Sequence, residues 1–259
     1  DTTNPLSFPT FPPERRSKAE RIAAALSSGR AVSDEAFDQI YPGAVRSASA
    51  VHWTPVRVCA RIVGLLDLQP GERLLDVGAG AGKFCIVAAA MSRASVCGVE
   101  REPYLAEVAR EAAERLGVGV DIVEGTFDAE DAQYADVDAV YLFNPFVETL
   151  FLPGIGEIAG ADAARAAADV DAAEAFLAAA RVGTRVVTFC GFGGEVPGTY
   201  DRCASEAWEG GALELWQKRR HQAVPASSVG RVDPLPTRTF AERRLLGEGG
   251  SQRGRNPRT

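Results

Sequence analysis

The sequence predicts an α/β protein: a doubly wound, mostly parallel seven-stranded sheet with a C-terminal antiparallel hairpin, preceded by a small N-terminal helical segment. Three observations predict it. From Glu72 onward, short apolar runs alternate with helical patterns, the alternation that a parallel sheet and its crossover helices require. Gly210-Gly211 separates two strand-like runs, a hairpin signal. The first 67 residues carry helix start and stop signals instead.

Residues 1 to 13 hold four prolines and few charges and read as an extended arm. Glu14 to Gly29 has helical spacing and a glycine stop. Residues 31 to 50 form a second short helix followed by the turn Tyr41-Pro42-Gly43. Thr54-Pro55 then opens a helix to about Asp67, with Thr54 as cap and Pro55 at the first helical position. Strands follow at Leu74–Val77, Val96–Glu100, Val120–Val123, Ala139–Phe143 and Arg185–Cys190, with helices at Lys83–Ser92 and Pro103–Leu116. Thirteen alanines among residues 159 to 180 mark another helix from about Asp162. Tyr200–Trp208 and Ala212–Lys218 are the two arms of the hairpin. These boundaries suggest an arm and helical cover over 1–53, a main domain over 54–220 and a tail over 221–259 that is basic and reads as flexible.

Composition excludes several classes. With 259 residues and 46% apolar content the chain can bury a sizeable core. No uncharged run reaches the ~18 to 20 apolar residues of a membrane helix, and no secretory leader is visible. The first residue is Asp1, so the natural start is expected to lie upstream. Five cysteines (Cys59, Cys85, Cys97, Cys190, Cys203) make an odd set without C-x-x-C spacing, a poor disulfide framework and a poor metal site. Cys85, Cys97 and Cys190 sit in apolar stretches, where a free thiol acts as a small hydrophobe. A cytoplasmic location is the simplest reading. The net charge of −7 is uneven: from Arg219 on there are nine Arg and three acidic residues, leaving −13 on residues 1 to 218. An acidic body repels phosphate backbones and suits a cationic or neutral substrate.

The chemistry concentrates in Leu74 to Phe84, LLDVGAGAGKF. A buried strand runs into Gly78, Gly80 and Gly82, then into a helix. Glycine permits φ > 0 and lets a ligand approach bare backbone, and the helix N-terminus offers unpaired N–H groups. A Walker A loop fails, because Val77 and Phe84 stand where Gly and Ser/Thr are needed. A G-x-G-x-x-G dinucleotide turn fails too, with Lys83 or Cys85 in place of the third glycine.

What remains, strand-D-x-G-x-G-x-G with Asp76, Gly78, Ala79, Gly80 and Gly82, resembles motif I of class I S-adenosylmethionine-dependent methyltransferases, a Rossmann-like family. The resemblance spans about Thr54 to Lys218 and implies S-adenosylmethionine as cofactor and no metal. It makes Glu100, 20 residues after Gly80, the ribose ligand, and places Thr126 and Phe127 beside the adenine, with Asp128 a substitute acid. It sets Thr54 and its helix N-terminus near the methionine carboxylate. YLFNPF (Tyr141 to Phe146) resembles motif IV of amino-methylating enzymes. There Asn144, counted also among the cofactor-binding residues, would with Pro145 and Phe146 hold the acceptor nitrogen: an amide oxygen and a backbone carbonyl can orient an N–H2 group, and an aromatic ring can stack on it. One proline stands where the motif has two. His52 is a candidate general base and Glu148 a candidate acid. Motif IV and the helical front are distantly similar to the non-SET histone-lysine methyltransferase family.

The expected function is methyl transfer from S-adenosylmethionine to a nucleophile, with nitrogen of a protein or a small-molecule amine favoured. An NAD(P)-dependent oxidoreductase, a non-catalytic S-adenosylmethionine-binding protein and a nucleic-acid methyltransferase remain as alternatives. Gly191 to Gly194, after the fifth strand, are read as a hinge or substrate loop.

Overall fold

The computed structural model describes residues 17–146, 150–152, 156–158 and 163–220. The proline arm, the basic tail and Glu148 lie outside them. The front part is helical: α1 (Lys18–Ser27), α2 (Asp34–Phe37), a 3-10 turn (Asp38–Ile40), α3 (Gly43–His52) and α4 (Val56–Leu66). Ser17 and Glu20 form a capping box at α1, which satisfies two otherwise unpaired backbone donors. After Tyr41-Pro42 the chain resumes as α3, which carries the expected turn into a further helix ending at His52.

The capping of α4 differs from expectation. Pro55, not Thr54, is the cap residue and makes no side-chain bond to the helix. The Val56 amide instead donates to Asp34 Oδ1 at 2.9 Å. The cap is borrowed from α2, 22 residues upstream in the chain, while the Thr54 hydroxyl faces inward.

The alternating region forms β1 (Arg73–Val77), α5 (Lys83–Met91), β2 (Ser95–Glu100), α6 (Pro103–Leu116), β3 (Asp121–Glu124), β4 (Ala139–Leu142), β5 (Leu150–Leu152), β6 (Gly156–Ile158), α7 (Ala163–Ala179), β7 (Arg185–Phe189), β8 (Tyr200–Trp208) and β9 (Gly211–Lys218). Seven strands make one sheet in the order β3-β2-β1-β4-β7-β9-β8, parallel except for β9, which runs antiparallel to β7 and β8. The doubly wound sheet with its closing hairpin is as expected; the small antiparallel pair β5–β6 is not. Pro103 starts α6 and Gly117, left-handed at φ 65°, ends it, both as the sequence predicts.

Two apolar layers flank the sheet. One joins α1 and α3–α6 to it through residues such as Ile62, Leu74, Ile86 and Ala109. The other packs Phe176 and Leu177 of α7 on Leu75, Val140 and Val186. Strands covered on both faces are apolar throughout, which is why β4 is fully buried along its length. Asp76 is an acid inside such a strand, 3% exposed. Cys190 departs from its expected burial: it is exposed past the end of β7, whereas Cys59 and Cys85 are buried.

The strand order reverses between β1 and β4, since β1 connects outward to β2 and β4 outward to β7. Open α/β sheets bind ligands at the carboxyl edge of such a switch point. No helix among the described residues is long and apolar enough to cross a membrane.

Candidate active site

A cleft opens at that switch point, lined by the ends of β1, β2 and β4 and by the segment joining α3 to α4. The glycine turn forms its floor. The Gly78 and Ala79 amides both donate to Val99 O at 2.9 Å, binding the turn to β2. Gly78, Gly80 and Gly82 all have positive φ, between 56° and 76°, where a side chain costs energy.

Each glycine is also required by a neighbouring part of the protein. A Cβ at Gly78 would stand 2.6 Å from Pro145 Cβ, one at Gly80 would press on the Trp53 indole, and one at Gly82 would stand 2.8 Å from Ala109 Cβ. Gly78, Ala79 and Gly80 line the cleft, whereas Gly82 turns toward α6. A fourth glycine, Gly98 in β2, lets Ala79 and Cys85 approach the strand.

Two acids face each other across the turn. Glu100, at the end of β2, accepts the Gly80 amide at 2.7 Å and the Glu102 amide at 2.8 Å. Burial pushes its carboxyl above the usual range, and the two amides pull it back. Each oxygen keeps lone-pair capacity for a further donor. Asp76 is more extreme: burial pushes it up to about 7, opposed by the Cys85 thiol that donates to Oδ2 at 3.1 Å. A carboxyl poised there is a strong acceptor for a cation that replaces the lost water.

At the far wall, Asn144 adopts φ 41°, left-handed for a residue with a side chain. Asparagine tolerates this better than most residues. Its amide donates to Gly191 O at 2.9 Å, so the loop after β7 holds the end of β4. Pro145 packs on Gly78, and Phe146 is 5% exposed within the second apolar layer. Gly191 is left-handed as well, at φ 75°. The glycine loop therefore braces Asn144 in this structure.

The remaining candidates divide. His52 lines the cleft, its ring 6.2 Å from that of Trp53. Thr54 Oγ1 and Tyr141 Oη share a hydrogen bond of 2.6 Å at the cleft wall. Thr126 and Phe127 line the β3 side; the Thr126 hydroxyl accepts from Arg165 of α7 at 2.8 Å. Phe127 packs at a tilt on Tyr134 and edge-to-face on Phe176. Asp128 accepts the Glu130 amide at 3.0 Å and lies outside the cleft.

Sequence reasoning missed Trp53, Tyr141, Lys83 and Asp169 as cleft residues. Trp53 and Tyr141 flank residues that motif reading singled out, but their direction depends on how two helices meet the sheet. Asp169 comes from α7, 69 residues after Glu100 in sequence, and faces Arg101 at 3.7 Å. No group of three or more His, Cys, Asp or Glu suited to a metal occurs among the described residues.

Residues 74–159 match the methyltransferase domain family. Among curated proteins, the chain is 39% identical over 83 residues to a protein-L-isoaspartate O-methyltransferase of Methylorubrum populi, covering 32% of this chain and 39% of that protein. It is 36% identical over 85 residues to a ribosomal protein L11 methyltransferase of Deinococcus radiodurans, covering 32% and 31%. The matched region thus spans only about a third of either relative. Among solved structures, an RNA methyltransferase from Salinibacter ruber in complex with S-adenosyl-L-homocysteine aligns at TM-score 0.49 and 22% identity, over 67% of this chain and 96% of that one. The stretch that resembles the methyltransferase domain family contains the glycine turn, Glu100 and Asn144 together.

Proposed function

We propose that this chain transfers a methyl group from S-adenosylmethionine to an acceptor nitrogen, on a protein or a small-molecule amine. The observation that carries the reading is the cleft itself, which sets two buried acids and a bare glycine turn opposite Asn144. The donor set fits the cofactor: Asp76 for the ammonium of an amino-acid end, Glu100 for a ribose diol, and the Thr126–Phe127 side for a base. In this reading residues 54–220 are the catalytic domain, 1–53 its arm and helical cover, and 221–259 a basic appendage. Five free cysteines suit a reducing compartment such as the cytoplasm.

S-adenosylmethionine supplies a methyl group on a sulfonium, already an activated leaving group. The chain then has to align, desolvate and manage one proton. The Asn144 side-chain oxygen would accept from the acceptor N–H and aim its lone pair. Phe146 backs that turn from the core, and His52 at the cleft mouth would take the proton released by the amine. The distant similarity to the non-SET histone-lysine family, carried by YLFNPF and the helical front, favours a protein lysine among amines. The acidic balance of residues 1 to 218 supports a cationic acceptor as well.

Calorimetry with S-adenosylmethionine and its demethylated product tests the reading, followed by a labelled-methyl screen of protein, nucleic-acid and small-molecule fractions. Saturable binding and label on protein or amines are expected; absence of binding by both compounds would overturn it. The Asn144 pair separates chemistry from backbone. Asn144→Gly keeps the left-handed turn, whereas Asn144→Ala strains it by about 1 kcal/mol. Both are expected to lower kcat on the order of a hundredfold with cofactor Kd within about threefold of wild type. If Asn144→Gly keeps full turnover, the side chain has no part in the reaction.

A further inference from the structure

This inference deepens the S-adenosylmethionine reading and rests on it. An amino-acid end brings a carboxylate as well as an ammonium, and the cations of the cleft are already committed. Lys83 is 1% exposed, with Asp34 Oδ1 at 2.5 Å, Asp38 Oδ1 at 2.9 Å and Ser49 Oγ at 3.0 Å from its ammonium. Two carboxylates over-compensate one positive charge, so a third carboxylate there meets net repulsion. Arg101 follows Glu100 and faces Asp169 and Glu102.

Neutral donors remain. Trp53 is 8% exposed, lines the cleft and lays its indole Nε1 edge against Gly80. Among the described residues that N–H has no hydrogen-bond acceptor, and an indole N–H can only donate. The ring is held from behind by Tyr41, at 6.4 Å between centroids. Beside it, Thr54 and Tyr141 share one hydrogen bond between two hydroxyls. One hydroxyl hydrogen of that pair is therefore left over at a wall both residues line.

We propose that Trp53 is a cofactor-binding residue: its indole N–H, with the spare hydroxyl hydrogen of the Thr54–Tyr141 pair, binds the carboxylate of S-adenosylmethionine. Trp53 Nε1 is not one of the polar atoms sealed from solvent without a partner, so water can serve it in the open cleft; once a ligand displaces that water the N–H needs an acceptor, and a carboxylate supplies a strong one. This assigns carboxylate recognition to neutral groups, at a residue the glycine motif does not include.

The test compares S-adenosylmethionine with its decarboxylated form by calorimetry on the full chain. Trp53→Phe keeps a ring against Gly80 and removes the N–H. It is expected to weaken S-adenosylmethionine about tenfold and to leave the decarboxylated compound within about twofold. The double variant Thr54→Val/Tyr141→Phe, which removes both hydroxyls and with them the spare hydrogen, is expected to act in the same selective direction and serves if Trp53→Phe does not fold. Equal weakening of both compounds would show a packing role and overturn the assignment alone. So would a wild-type preference for the carboxylate that collapses as pH rises, which would point to a titrating cation; neutral donors keep it constant. Wild-type protein that binds neither compound would overturn the methyltransferase reading together with this one.

Discussion

Lys83→Met is expected to destabilise the fold by about 3 kcal/mol, the lower end for breaking a buried ion pair by removing one partner. Asp38 has 9% of its side chain exposed and Asp34 41%, so the stranded charge falls mainly on Asp38. For a domain of this size that is a drop in Tm of roughly 6 to 12 °C. The effect is not confined to one contact. Asp34 also caps α4 through Val56, and Ser49 belongs to α3. Lys83 thus ties three segments of the helical cover to the first turn of α5, next to the glycine turn. Adding Asp34→Asn and Asp38→Asn to Lys83→Met should recover most of the loss, because no uncompensated charge then remains buried. Thermal melts of the single and triple variants check this, and a triple variant no more stable than the single would place the effect elsewhere.

Asp76→Asn is expected to weaken S-adenosylmethionine about a hundredfold at pH 8 while making the free protein more stable. Both signs follow from burial. Asp76 titrates near 7 in the folded chain, far above an unfolded aspartate. Its folded form therefore holds a proton that the unfolded chain releases. The associated stability is fully present below the unfolded pKa and is lost as pH rises through about 7. Above that pH the buried carboxylate opposes folding, and the amide of the Asp76→Asn variant removes the penalty.

Ligand binding runs the other way. An ammonium beside Asp76 favours the ionised form, so binding releases a proton below about pH 7. Wild-type affinity should then fall with decreasing pH, approaching tenfold per unit below 7. The Asp76→Asn variant should give a nearly flat profile that meets the wild-type curve in acid. Calorimetry across pH 5.5 to 8.5, with Tm at each point, checks both halves. An Asp76→Asn variant that loses stability at pH 8, or keeps a steep affinity profile, would contradict the assignment. Gain in stability with loss of binding is the usual signature of a group retained for function.

Much of the architecture was legible from local chemistry. Pro103 and Gly117 bound α6 because proline presets the first helical turn and glycine accepts the left-handed stop. The Gly210-Gly211 turn joins β8 to β9 for the same kind of reason. The glycine turn and Glu100 could be related because parallel neighbours place both at one sheet edge. Thr54 and Cys190 were misjudged by the same local logic. Thr54 has the composition of a cap, but Asp34 takes that place and the hydroxyl turns to Tyr141, 87 residues away. Cys190 belongs to an apolar run, yet the strand ends one residue earlier.

Residue order and type were enough to settle the sheet class and the glycine turn that follows its first strand, since these depend on periodicity and on glycine's freedom in φ. Which side chains close the cleft was settled only in three dimensions. Trp53 against Gly80, Pro145 against Gly78 and Lys83 between two aspartates are contacts between elements far apart in the chain. No local preference encodes such pairs; packing two helical layers on one twisted sheet does.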